Sequence, residues 1–195
     1  MSDTPANLLK ATLRAAALAT RDALDVEHRA AAAQAIASRG LPVEIPRGAV
    51  VAGYSPIRSE IDPAPLMQNL AAQGAQLALP VIVASDQPLL FRAWTRSDKL
   101  RRGQLGILEP PPDAAVVIPD ILLVPLAAFD RSGHRIGYGA GHYDRTFAQL
   151  RGLKNIVAIG LAFAAQQIPA IPAAAHDARL DLVLTEHETI DFRSS

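Results

Sequence analysis

The sequence predicts one α/β domain over residues 1–195, with a mainly parallel sheet flanked by helices on both faces. Three observations predict it. Several strand-length runs, at 49–54, 76–83, 121–125 and 155–163, are nearly continuously apolar, as strands covered on both faces are. Segments of helical period lie among them. No repeat, low-complexity tract or linker divides the chain.

Taken in order, the first forty residues read as two helices. Ser2 or Thr4 can cap the first, and Pro5 suits its opening turn. Leu8, Leu9, Leu13, Ala16 and Ala17 share one side, while Lys10, Arg14 and Arg21 align along the other. Asp25 fits as the cap of the second helix and Gly40 as its terminator. The 49–54 strand leads into a loop, SPIRSEID. Asp62 and Pro63 then signal a helix ending near Gly74. Strands at 76–83 and 89–94 flank a turn at 85–88, and residues 99–113, rich in Gly and Pro, read as a long surface loop. After the 121–125 strand comes a glycine-rich loop, then a helix at 141–150. Strands at 155–163 and 179–186 complete the sheet.

Composition excludes several classes of function. Lys plus Arg and Asp plus Glu number 19 each, so the net charge is zero, and no nucleic-acid partner is expected without a basic excess. The absence of cysteine removes disulfides, thiolate metal sites and thiol nucleophiles. No run approaches the roughly 18 apolar residues that span a bilayer, and charges interrupt the N-terminus where a signal peptide needs an apolar run. A cytoplasmic monomer acting on small-molecule substrates, with no membrane partner, is the expectation.

The chemistry concentrates at RIGYGAGHYDR, from Arg135 to Arg145. Four of the twelve glycines lie between Gly133 and Gly141, beyond the carboxyl end of a predicted strand, where α/β sheets bind ligands. Glycine permits positive φ and lets several backbone amides approach one anion. The helix behind adds its positive end, worth roughly 0.3–1 kcal/mol per exposed anion. Glycine alone would equally serve a tight structural turn; Arg131, Arg135, Arg145 and Asp144 in the same window favour phosphate. The G-x-G-x-G spacing matches neither the dinucleotide fingerprint nor a Walker A loop.

The segment from Leu122 to Arg145, LLVPLAAFDRSGHRIGYGAGHYDR, resembles the signature of the 5-formyltetrahydrofolate cyclo-ligase family. KATLR (10–14), GYSPIRSEID (53–62), LGILEP (105–110) and HDARLDLVLTE (176–186) extend the resemblance in the expected order over nearly the whole chain. One departure is His142, where many members carry a second aromatic residue before Tyr143.

The resemblance implies ATP-driven conversion of 5-formyltetrahydrofolate to 5,10-methenyltetrahydrofolate, through a phosphorylated formyl oxygen, with release of ADP and phosphate. It implies Lys10 and Arg14 on the ATP phosphates, and Arg135, Ile136, Gly137, Tyr138, Gly139, Ala140, Gly141, His142 and Tyr143 wrapped around them. Arg145 and Lys10 would act catalytically, Arg145 by offsetting γ-phosphate charge. Ser55, Glu60, Tyr138 and His142 would contact the folate. A carboxylate such as Glu60 accepts paired hydrogen bonds from an aminopyrimidinone edge. Asp144 and Asp181 would hold Mg²⁺, which favours carboxylates and substrate phosphates.

Without the resemblance each residue has a plainer role. Lys10 and Arg14 would form a solvated basic face, Glu60 a surface-loop acid, Asp144 a first-turn aspartate and Asp181 a strand-edge aspartate. Two rival functions use the same features. A sugar-phosphate isomerase or sensor would need the glycine loop but not Lys10 and Arg14; a folate-binding relative without catalysis would need Glu60 but not Arg145.

Overall fold

The computed structural model describes residues 5–174 and 177–193, so the expected caps Ser2 and Thr4 lie outside the described residues. Its centre is a seven-stranded sheet. In chain order the strands are β1 (Val50–Ala52), β2 (Gln76–Val81), β3 (Leu90–Ala93), β6 (Ile121–Pro125), β9 (Val157–Leu161), β10 (Leu182–Leu184) and β11 (Thr189–Asp191). Across the sheet they run β11-β10-β9-β6-β1-β2-β3. The inner five are parallel, and β3 and β11 close the two edges antiparallel. The inner strands are covered on both faces, which is why their sequences are apolar without alternation.

Alternate side chains along each strand feed two cores. Val51, Leu77, Leu79, Leu123 and Ile159 pack under α2 (Val26–Arg39) and α3 (Ala64–Ala72). Ala52, Ala78, Leu122, Val124 and Val183 pack under Phe147 and Leu150 of α4 (His142–Arg151). The expected two-sided cover is therefore present. Asp25 caps α2 by accepting the His28 amide at 2.7 Å, and Gly40 ends that helix at φ 72°. The Asp62 carboxylate accepts the Ala64 amide at 2.9 Å where α3 begins.

Three elements depart from the sequence reading. α1 (Pro5–Asp22) exposes Leu8 and Leu9, which are 56% and 50% accessible, and turns Lys10, Leu13, Arg14, Ala17 and Arg21 inward. The presumed outer basic side faces the protein, because backbone carbonyls of the glycine loop and of the β6 exit accept its guanidinium protons. The 99–113 segment is not a plain surface loop: β4 (Arg101–Arg102) pairs with β5 (Leu108–Glu109), and buried Glu109 accepts from Arg101 at 2.7 Å. Finally, β7 (Ala128–Phe129) and β8 (Arg135–Ile136) form a hairpin immediately before the glycine loop.

Buried Asp130 organises that hairpin, accepting the amides of Ser132 (2.9 Å), His134 (3.1 Å) and Ile171 (2.9 Å). Gly133 sits at its tip with φ 81°, and a β-carbon there would lie 3.0 Å from Phe192 and 3.2 Å from the Leu180 carbonyl. Left-handed backbone and crowding both oppose a side chain. Gly133→Ala is expected to lower unfolding free energy by about 1–3 kcal/mol, read as a reduced urea midpoint at unchanged slope.

Candidate active site

The glycine loop leaves the β7–β8 hairpin and enters α4 beyond the carboxyl end of β6. Gly139 (φ 96°) and Gly141 (φ 68°) take left-handed conformations that other residues rarely adopt. Gly141 is the N-cap of α4 and supplies no side-chain cap, so the first-turn amides are open to an external acceptor. Tyr138, Gly139 and Ala140 are exposed at the crest.

α1 approaches this loop from the side. Arg14 Nε donates to the Gly137 carbonyl at 2.7 Å, and its guanidinium lies beneath Gly139. Lys10, one turn earlier, is paired with Asp177. At the entrance to α4, one nitrogen of Arg145 donates to the carbonyls of Ala140 (2.7 Å) and Ser85 (2.9 Å), while its buried Nε has no partner. The uncapped helix start and the arginine's positive charge leave capacity for an anion. Arg14 and Arg145 thus both contact the loop, while Lys10 lies one turn away from Arg14 and is held by Asp177.

Arg135 serves differently. Its side chain is almost fully buried behind the loop, stacked 4.8 Å from the Phe147 ring, donating to Asp144 at 2.8 Å and to the Ala178 carbonyl. It fixes the 177–178 strand entry against α4 and does not project toward the crest. Ile136 is also internal: its side chain joins Ala17, Ala127 and Ile171, and its carbonyl accepts the Ala127 amide at 2.7 Å. Arg131 is elsewhere, paired with Glu188 on the surface at 2.5 Å.

The two proposed metal ligands do not meet. Asp144 lies in the first turn of α4, whereas Asp181 accepts from Arg151 (3.2 Å), the last residue of that helix, and from the Ala158 amide (2.7 Å). Asp144 and Asp181 thus pair with different arginines, Arg135 and Arg151. Asp181 immediately precedes a parallel strand, so it falls at the amino edge of the sheet, opposite the glycine loop. Asp177, four residues earlier, is on the correct side. Its charge acts on Arg135, and the neighbouring Ala178 amide donates to Asp144 at 3.2 Å. Strand polarity was the signal that could have selected it.

Glu60 forms the second half of the site. It is buried where the 55–62 segment leaves β1, and its Oε2 accepts the Ile57 amide at 2.8 Å. Burial raises its pKa above the ordinary carboxylate value, and the Ile57 amide, the Tyr138 hydroxyl and the Arg21 charge pull it back. Tyr54 and Tyr143 stand close enough for the Glu60 charge to act on both. Ser55 is near but turned outward, donating to the Leu108 carbonyl at 2.6 Å. Of the two residues expected to border both ligands, Tyr138 reaches Glu60; His142 faces the Gln87 carbonyl at 3.1 Å. Trp94 is partly buried against the cluster under α2 and α3.

Besides Asp177, two residues outside the sequence-based site belong to it. Arg21 is 1% exposed and donates to the Tyr138 hydroxyl at 2.7 Å and to Ser59 Oγ at 3.0 Å, beside Glu60. Its signal was present in the alignment of Lys10, Arg14 and Arg21, but nothing in the sequence showed that this side faces inward. Ser59 in turn donates to Asp22.

Comparison with known proteins agrees with this architecture. The model of the 5-formyltetrahydrofolate cyclo-ligase family matches residues 7–186. The 5-formyltetrahydrofolate cyclo-ligase of Mycolicibacterium smegmatis is 33% identical over 186 residues, covering 90% of this chain and 93% of the relative. That of Haemophilus influenzae is 35% identical over 135 residues, covering 67% and 72%. Among solved structures, the 5,10-methenyltetrahydrofolate synthetase of Aquifex aeolicus superposes with a TM-score of 0.80 at 29% identity, covering 96% of this chain and 94% of its own. The chain belongs to the 5-formyltetrahydrofolate cyclo-ligase family.

Proposed function

We propose that the protein converts 5-formyltetrahydrofolate and ATP to 5,10-methenyltetrahydrofolate, ADP and phosphate. The observation that carries this reading is the placement of Arg14 and Arg145 on the loop that leads into an uncapped helix start, with Lys10 one turn from Arg14 and buried Glu60 linked to the loop by Tyr138. The formyl oxygen, a poor leaving group, attacks the γ-phosphorus as ADP departs. N10 of the folate then closes on the activated carbon, and the oxygen leaves with phosphate. The chain's contribution is alignment of two ligands and neutralisation of phosphate charge. Lys10, Arg14 and Arg145 supply positive charge, the loop amides cradle the phosphates, and Glu60 accepts the pterin's paired donors.

Magnesium suits this arrangement through Asp144 and Asp177, not through Asp181. Mg²⁺ takes one or two carboxylates, with phosphate and water completing its shell, and among the described residues no cluster of three or more ligating side chains exists. When bound it would neutralise phosphate charge. Asp144→Asn and Asp177→Asn are each expected to raise the KM for Mg-ATP by about tenfold or more while changing the folate Kd little. A loss at Asp181→Asn with none at Asp177→Asn would restore the sequence-based pairing.

The decisive assay mixes the protein with 5-formyltetrahydrofolate and Mg-ATP and follows the methenyl chromophore. ATP-dependent product supports the proposal. Folate binding with no product would mark a binding relative without catalysis, and tight sugar-phosphate binding with no product would overturn the reading entirely.

A further inference from the structure

Arg21 presents a problem of physical economy. A guanidinium that is 1% exposed normally sits against a carboxylate, yet among the described residues Arg21 forms no direct ion pair. Its donors go to neutral oxygens: Ser59 Oγ at 3.0 Å, the Tyr138 hydroxyl at 2.7 Å and the Leu126 carbonyl at 3.4 Å. Each hydroxyl leads on to an acid. Ser59 donates to Asp22, and the Tyr138 hydroxyl interacts with Glu60. The guanidinium carbon also lies 5.7 Å from the centre of the Tyr138 ring. For stability alone, an apolar side chain of similar volume would serve as well or better.

We propose that Arg21 is a positioning residue, which acts through Tyr138 and Ser59 to hold Glu60 in its folate-binding orientation and to lock the glycine loop to the folate pocket. The idea rests on the function proposed above and adds to it a link between the two ligand sites. Three elements meet at this one side chain: α1, the 55–62 segment carrying Ser59 and Glu60, and the loop carrying Tyr138. Ser59 adjoins Glu60 in the chain and ties that segment to α1, while Tyr138 reaches Glu60 from the loop. Withdrawing Arg21 would free both at once, so the folate pocket would loosen together with the crest that receives phosphate.

Charge acts in the same direction. Arg21 of α1 and the Tyr138 hydroxyl on the loop act on Glu60, whose charge reaches Tyr54 after β1 and Tyr143 of α4; Asp62 on its own segment acts on Tyr54, and Asp22 of α1 accepts from Ser59. Burial favours the protonated acid, and Arg21 supplies positive charge against it. Without that charge Glu60 would lose its proton at higher pH, and folate recognition would need a more alkaline medium.

The test compares wild type with Arg21→Met, Arg21→Lys and Tyr138→Phe, each first shown to be folded by its thermal transition. Arg21→Met is expected to raise the folate KM at pH 7 by about tenfold or more, to affect kcat less, and to move the acidic limb of folate kcat/KM to higher pH. Arg21→Lys keeps the charge and should hold that limb near the wild-type position while recovering only part of the KM. Tyr138→Phe keeps the ring but breaks the hydroxyl bridge, so its limb should move in the same direction as in Arg21→Met. Equal loss in kcat and KM at every pH, with no rescue by lysine, would reduce Arg21 to a structural residue and overturn the proposal. So would an unaltered pH profile in folded Arg21→Met. A wild-type chain without turnover would instead overturn the function proposed above, and this role with it.

Discussion

Arg145→Ala is expected to lower kcat by about 10³-fold on the proposed reaction, while the folate Kd stays close to that of wild type. The size follows from where the side chain stands. It lies in the first turn of α4, next to Gly141, with an unpaired buried Nε and a second nitrogen bound to the Ala140 and Ser85 carbonyls. Removing it withdraws a charge from the place where phosphoryl transfer concentrates negative charge. It also releases the crest of the glycine loop from the 85–88 turn. Arg145→Lys separates the two effects: it restores charge but not the forked contact, so a partial return of kcat would assign the larger share to charge. Single-turnover measurement of ADP formation, set beside folate binding by fluorescence, checks the result. A kcat within a few fold of wild type would remove Arg145 from the transfer step.

Glu60→Gln is expected to weaken folate binding by about 10–100-fold, the equivalent of one charge-assisted hydrogen bond at roughly 1.5–3 kcal/mol. ATP binding should change little, because Lys10, Arg14 and Arg145 have their contacts with other groups: Asp177, the Gly137 carbonyl, and the Ala140 and Ser85 carbonyls. The pH dependence has a definite sign. Burial sets the Glu60 pKa above the ordinary value, and the ionised form is the better acceptor. Wild-type folate affinity should therefore fall as pH drops through that raised pKa, at a higher pH than an exposed glutamate would show. Glu60→Gln cannot titrate and should give a flat profile over the same range. Calorimetric titration at several pH values tests both parts, and an unchanged Kd in Glu60→Gln would exclude the pterin contact.

The sequence by itself determined the fold class, the core strands and the location of the glycine-rich loop. Those are local matters: apolar runs mark strands buried on both faces, Asp25 and Gly40 mark helix ends, and clustered glycines mark where the backbone takes conformations closed to other residues. The resemblance implied a site built from Lys10, Arg14, Glu60 and Arg145; the structure sets Arg14 and Arg145 on the glycine loop, Lys10 beside Asp177, and Glu60 within reach of Tyr138 on that loop. Short elements such as β11 and the β7–β8 hairpin gave no such pattern, since two or three residues are too few for a period.

Only the tertiary structure decided which face of α1 turns inward and which aspartate reaches Asp144. Helical spacing groups Lys10, Arg14 and Arg21 but cannot tell a solvated stripe from one whose protons are taken by carbonyls 100 or more residues away. HDARLD offers two aspartates to a metal, and strand direction separates them. Asp177 stays beside α4's first turn, and Asp181 is carried to the opposite edge, at Arg151. The same distinction removes Arg135 from the crest of the Arg135–Arg145 stretch and adds Arg21 beneath it. Residue type and spacing specify which groups can perform the chemistry. Where each group points depends on packing between segments distant in the chain, and no local pattern encodes it.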